Sequence, residues 1–209
     1  TTATDVYNTA VGHSAGLAIT TGVNNVLMGG LTGDALTDAD ENVAIGHAAL
    51  SSDTLGSRSV AIGREALTTQ NFTTATATYN VAVGANAGQA VTVGVQNTLI
   101  GGLAGDALTE GARNVAVGKS ALSADTNGAR ATAIGFGALG VQNFTTATEN
   151  FNVGVGYDAG AAITTGLSNT IIGGAAGDAL TDADFNTAVG KDALSSDTLG
   201  SKSTAIGTG

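Results

Sequence analysis

Three groups of side chains in this 209-residue chain are of the types from which sites are built. His13 and His47 are the only imidazoles, each placed directly after a glycine, and a catalytic or ligating role would need a base, nucleophile or further ligand held beside them. The stretch "GGLTGDALTDAD" (Gly29 to Asp40) gathers Asp34, Asp38 and Asp40, oxygen donors of the kind calcium takes, roughly six to eight at a time. The stretch "QNFTTATATYN" (Gln70 to Asn80) brings Phe72 near Tyr79, and its later copy brings Phe144 near Phe151. Such aromatic pairs either stack on a sugar ring or pin the loop to the next protomer by burying apolar area. Asn71 and Asn143 each open an Asn-Phe-Thr sequon, which has meaning only in a glycosylating, exported setting.

Whatever positions these groups is not an ordinary globular core. Glycine numbers 32, Pro, Cys and Trp are absent, and aromatics make up 4%, so the chain must pack small and β-branched residues in layers. With 43% hydrophobic and 11% charged residues it is not a disordered composition. Collagen is excluded because glycine does not recur at every third position and proline is missing. A net charge of −10 disfavours nucleic acid or an anionic membrane as partner, and no apolar run approaches the ~18 residues of a membrane span.

The scaffold is a repeat. Glycines 12, 29, 46, 63, 84, 101, 118, 135, 156, 173, 190 and 207 each close an apolar triplet, at spacings of 17, 17, 17 and 21 that then recur. Twelve short repeats therefore group in fours under a 72-residue period, giving super-repeats over 1–72, 73–144 and a partial 145–209 in one continuous array. Both ends fall inside the long unit, as expected of a slice from a longer array. Three and one residues before each glycine stand almost only Val, Thr, Ile and Met, two columns that share a strand face. Between them runs Ala10, Leu27, Ala44, Ala61, Ala82, Leu99, Ala116 and their successors, on the opposite face. Asn precedes the triplet in nine repeats, a residue suited to left-handed turns and stacked amide ladders. A second short strand is expected around Ala15, Ala49 and Ala66, and Asp/Gly turns close the circuit.

The pattern predicts an all-β chain, a parallel β-solenoid of about twelve coils spanning roughly 55 Å at ~4.8 Å per coil. With the β-branched columns taken as inward, each coil is lean in large side chains, and the alanine column needs cover. Packing Ala10, Ala44, Ala82 and Ala116 against the same column in two symmetry mates supplies it, so a parallel homotrimer is expected; a second sheet of the same coil is the alternative.

The repeats weaken every candidate site. His13 becomes Ala85 and Tyr157 one and two periods on, while His47 becomes Lys119 and Lys191, the pattern of a variable solvent-facing column. Asp38 becomes Glu110 and Asp40 becomes Ala112 in the middle unit, so a solvated acidic turn is favoured over calcium; the reading is no metal and no cofactor. Pinning is favoured for the aromatic pairs because large apolar groups are scarce. No Ser/His/Asp or Cys/His set and no phosphate-binding glycine loop recurs, so no catalytic residue and no enzyme is expected.

The phrase "NVAIGHAAL…SRSVAIGREAL" (Asn42 to Leu50, Ser57 to Leu67) resembles the head repeats of trimeric autotransporter adhesins of the YadA type, with similar phrases in phage tail fibres and repetitive surface proteins. That resemblance implies a trimeric left-handed β-roll on a cell or virion surface. Its coils here are longer than that family's, and neither stalk heptads nor an anchor is seen. The expected function is a rigid structural or adhesive fibre module, extracellular and partnered with itself. Two alternatives stand beside it: glycan binding by the long-coil loops, and an end-to-end filament subunit.

Overall fold

The computed structural model describes residues 5–209. Twelve three-residue strands, from Thr9–Val11 to Thr204–Ile206, stack in chain order into one parallel sheet, one strand per coil. Register follows the repeat: Thr9 faces Val26, and across the longer coil Val60 faces Val81. This is the parallel β-solenoid that the spacing predicts, and no helix occurs among the described residues.

The closing glycine is required twice over. In every coil its φ lies between +129° and +139°, a region closed to residues with a Cβ. Where another coil follows, a Cβ would also stand within 2.6 Å of that coil's glycine backbone. The expected second strand at Ala15, Ala49 and Ala66 is instead a run of turns. The reason is local: the residues two and four past each closing glycine, such as Ala48 with Leu50 and Ser120 with Leu122, are left-handed. Among the described residues, extended pairing away from the main sheet is confined to Gly56–Ser57 with Thr76–Ala77 and Gly128–Ala129 with Thr148–Glu149. The left-handed turn residue is also not the repeating Asn but the residue before it (Tyr7, Glu41, Tyr79, Phe151), or before the Ser that stands in its place (Arg58). Asn instead turns inward and builds the amide ladder: Asn42 Oδ1 accepts from the Ser59 N–H at 2.8 Å, and Asn42 Nδ2 donates to the Gly56 carbonyl at 3.0 Å.

The two faces of the strand are the reverse of the expectation. Ala44, Ala82 and Ala116 have no exposed surface within the single chain, so this column lines the interior and cannot be the surface between chains; only Ala10, in the first coil, is exposed. The physical reason is volume. The chamber of a 17-residue coil is narrow, and leucines from the opposite wall fill it. Where the strand offers Ala44, Ala61, Ala116 or Ala133, the opposite wall offers Leu50, Leu67, Leu122 or Leu139. Where the strand offers Leu27, Leu99 or Ile171, that wall offers Gly33, Gly105 or Gly177, whose absent Cβ would lie within about 3.1 Å of those side chains. In these layers large meets small, and where both are small, as at Ala82 with Gly88 and Gly154 with Gly160, leucines of adjoining coils (Leu67 and Leu99, and Leu139) fill the space, as dense interiors demand.

The four-coil period has its own cause. Seven residues past the closing glycine, two successive coils place apolar Val91 and Leu108 inside, and the next two place Asp125 and Gln142. Asp125 and Gln142 are fully buried, as are Asp53 and Gln70 one period earlier. Asp53 Oδ1 accepts from the N–H groups of Gly56 and Phe72, both at 3.0 Å, and its Oδ2 accepts from Gln70 Nε2. Gln70 Oε1 in turn accepts from Asn80 Nδ2 at 2.8 Å. This network holds the entry and exit of the longer coil, so the extra residues come with buried polar partners that satisfy their backbone.

Candidate interaction surface

With alanine inside, the β-branched columns face out. Residues three before the glycine are half-buried except in the end coils, where Thr9 and Thr204 are exposed, and those one before it range from half-buried (Ile45, Val83) to exposed, with Met28 at 43% and Ile100 at 39%. Twelve strands thus present a flat stripe of Val, Ile, Met and Thr, roughly 55 Å long at ~4.8 Å per strand and about 10 Å wide at ~3.3 Å per residue. Its area, ~550 Å², lies at the upper end of the largest apolar patch a monomer carries. No charged residue stands in either column.

The charges stand beside the stripe. All seven Lys and Arg residues fall in two columns, five before the glycine (Arg58, Arg113, Arg130, Lys202) or one after it (Arg64, Lys119, Lys191). Both His and six of the eight aromatics occupy the same two columns. Side chains within a column touch from coil to coil. Arg58 forms an ion pair with Glu41 at 2.8 Å and donates to the Tyr79 hydroxyl at 2.9 Å. The Arg130 guanidinium sits 5.4 Å from the Phe151 ring centre and pairs with Glu149 at 2.7 Å. On the other rim the Lys119 ammonium lies 5.9 Å from the Phe136 ring, which stacks on Tyr157 at 5.5 Å with the planes 9° apart. A hydrogen bond to the adjacent Asp158 carboxylate raises the Tyr157 phenol above its usual value. These pairs are exposed and add little stability; their effect is to order long side chains into two ridges. An apolar, charge-free centre bounded by Arg and aromatic residues is the anatomy of a protein interface.

The sequence-based candidates are placed as follows. Phe72 and Phe144 are 7% and 6% exposed and are not paired with Tyr79 or Phe151, which stand exposed on the rim. The first two are already buried within the single chain rather than offered to a neighbouring protomer, and no Phe72–Tyr79 sugar clamp is formed. Asp38 accepts a hydrogen bond from the Thr21 hydroxyl at 2.5 Å, and Asp40 accepts from the Val23 N–H at 2.8 Å, so both staple one coil to the preceding one. Asp34 Oδ1 is buried without a partner, as are the equivalent atoms of Asp106 and Asp178. Burial raises the Asp106 carboxyl above the usual carboxylate range, against an opposing backbone hydrogen bond. Among the described residues no three acidic or imidazole groups converge where a metal ion could sit. His13 and His47 are exposed on the rim two coils apart, with Gly30 between them. A surface depression of about 440 Å³ at the last coil is lined by Asp192, Leu194, Ser195, Ser196, Asp197 and Gly209, with no imidazole or cation among them.

Sequence reasoning missed the outward stripe and its rims. The signal was present, because sorting Lys and Arg by repeat position puts all seven in two columns. No family model, no curated protein and no solved structure matches this chain.

Proposed function

We propose that this chain is a structural module, the rigid shaft or head of an extracellular surface adhesin, filament or phage tail fibre, and that it assembles as a parallel homotrimer through the Val/Ile face. The observation that carries the reading is the continuous β-branched stripe, free of charge along all twelve strands and flanked on both sides by Arg and aromatic ridges. Stripe and rims together span about six residues across, so the face offers roughly 1,100 Å² per chain at ~3.3 Å per residue and ~4.8 Å per strand. In a cyclic trimer the face is divided between two neighbours, about 550 Å² to each, so a single contact lies at the small end of specific interfaces and it is the two contacts of each chain, about 1,100 Å² together, that hold the assembly. Parallel packing also lets identical coils meet along the whole length. The resemblance of "NVAIGHAAL" to adhesin head repeats supports the same reading. The role is mechanical rather than catalytic: continuous backbone ladders, an amide ladder inside and no long free loop resist local opening.

Light scattering on the 209-residue chain across a tenfold concentration range tests this. The expected result is a constant mass of three chains for the wild type and one chain for Val117→Lys, which puts an ammonium into the stripe without touching the interior. A wild-type mass of one chain throughout overturns the proposal.

A further inference from the structure

The two rims carry matched irregularities. On the rim after the closing glycine, Gly30, Gly102 and Gly174 interrupt the row of side chains once every 72 residues. Nothing in the backbone asks for glycine there: none of the three has a left-handed φ, and no heavy atom lies within 3.7 Å of where a Cβ would stand. At Gly174 that space is empty to 4 Å. These glycines therefore leave notches, which other parts of the same coil do not fill. On the opposite rim, Tyr7, Tyr79 and Phe151 recur at the same 72-residue spacing, 73%, 51% and 48% exposed. Each such aromatic stands one coil before a notch.

We infer that these are knobs and holes between copies of this chain: Tyr7, Tyr79 and Phe151 of one subunit seat in the notches at Gly30, Gly102 and Gly174 of the next, and so set the subunit register at one coil. The inference rests on the trimer proposed above. In a cyclic parallel assembly each interface is heterologous, so one rim of every copy meets the other rim of its neighbour. The charges select the same offset. In flush register Arg58 would face Arg64 and Arg113 would face Lys119, two like-charge contacts. Shifted by one coil, Arg58 faces Ala85, Arg113 faces the Phe136 ring, and Glu41 faces Arg64. A shift of two coils would drive Arg58 and Arg130 into the glycine notches and leave Tyr79 against Lys119. Only the one-coil shift puts the periodic aromatics against the periodic gaps and also forms the Glu41–Arg64 pair. Across a face of about 20 Å, one coil of ~4.8 Å corresponds to strands inclined by roughly 14° from the perpendicular to the fibre axis.

The chain has no cysteine, so engineered disulfides report the register directly. The three strand residues between the rims hold them at least ~10 Å apart in one chain, beyond the roughly 7 Å Cα separation a disulfide spans, so any bond formed is between chains. Three double variants are compared by oxidation and non-reducing electrophoresis: Tyr79→Cys with Gly102→Cys, Tyr79→Cys with Ala85→Cys, and Tyr79→Cys with Lys119→Cys. The expected result is a covalent three-chain species from the first pair, at least tenfold more abundant than from the other two. Dominant cross-linking by the Ala85 pair means flush register, and by the Lys119 pair a two-coil shift; either overturns the inference. A three-chain mass in solution with no cross-linking by any pair also overturns it, leaving the notches to another occupant such as a sugar ring. A one-chain mass for the wild type signals instead that the trimer reading has failed.

Discussion

Replacing Ala131 by Ser should stabilise this protein, although it adds a polar atom to a buried site. In the first super-repeat Ser59 Oγ lies 2.6 Å from the Thr78 hydroxyl and accepts from Gln70 Nε2 at 2.9 Å. One period later Ser59 is Ala131 and Thr78 is Asn150. The exchange leaves Asn150 Nδ2 buried without an acceptor and removes one of the two acceptors of the Gln142 amide, which keeps only Asp125. An unsatisfied buried donor costs about 1–3 kcal/mol, and a hydrogen bond made in its place contributes about 1 kcal/mol. Ala131→Ser restores an Oγ beside both amides, so a gain of about 1–2 kcal/mol is expected. Asn150→Thr should give a similar gain by removing the orphan, with its hydroxyl donating to the Ala129 carbonyl as Thr78 donates to Ser57 at 3.1 Å. The double variant rebuilds the Ser59–Thr78 pair, but both single changes relieve the same orphan, so its gain should fall short of the sum of the two. Urea titration followed by circular dichroism, with the slope checked for constancy, measures all four corners of the cycle. If neither single variant raises the midpoint, Asn150 is satisfied by solvent and the accounting of this layer is wrong.

Gly118→Ala should cost at least about 3 kcal/mol, since left-handed-region strain of ~1–3 kcal/mol adds to a Cβ placed 2.4 Å from the Gly135 carbonyl oxygen; a midpoint within error of wild type in the same titration would refute it. Burial raises the Asp125 carboxyl above the ordinary range, outweighing the hydrogen bonds from Gln142, Phe144 and Gly128 that pull it down. The folded state then binds more protons than the unfolded one from the ordinary value near ~4 upward, so this group's contribution to stability falls as pH rises through that window and is flat above it. A carbon-detected titration of the Asp125 carboxyl should find its midpoint above that of an ordinary aspartate, and a midpoint at or below it would count against burial as the dominant effect.

The repeat was legible because its signal is covalent geometry. A glycine that must hold φ near +135° against the next coil cannot drift, so its spacing exposes the coils and the two lengths they take. The sense of the strand was not legible from alternation, because a period of two gives two faces and names neither. Both were apolar here, and size misled: Val and Ile, the larger residues, face out, while Ala44 and Ala116 face in. The deciding information lay across the coil rather than along the strand. Ala44 is paired with Leu50 and Leu27 with Gly33, a compensation of volumes readable only once the column of Leu and Gly four residues past the closing glycine is set beside the strand. The left-handed residues before each Asn were illegible for the opposite reason. Tyr79, Arg58 and Phe151 have no preference for that region, and only the inter-coil ladder on both sides imposes it. Such positions free the side chain of any interior duty while fixing its direction, so the chain can write aromatic, basic or acidic residues there without disturbing the coil. Variation carried on these supported left-handed positions lets the surface of the solenoid change from coil to coil while its interior stays constant.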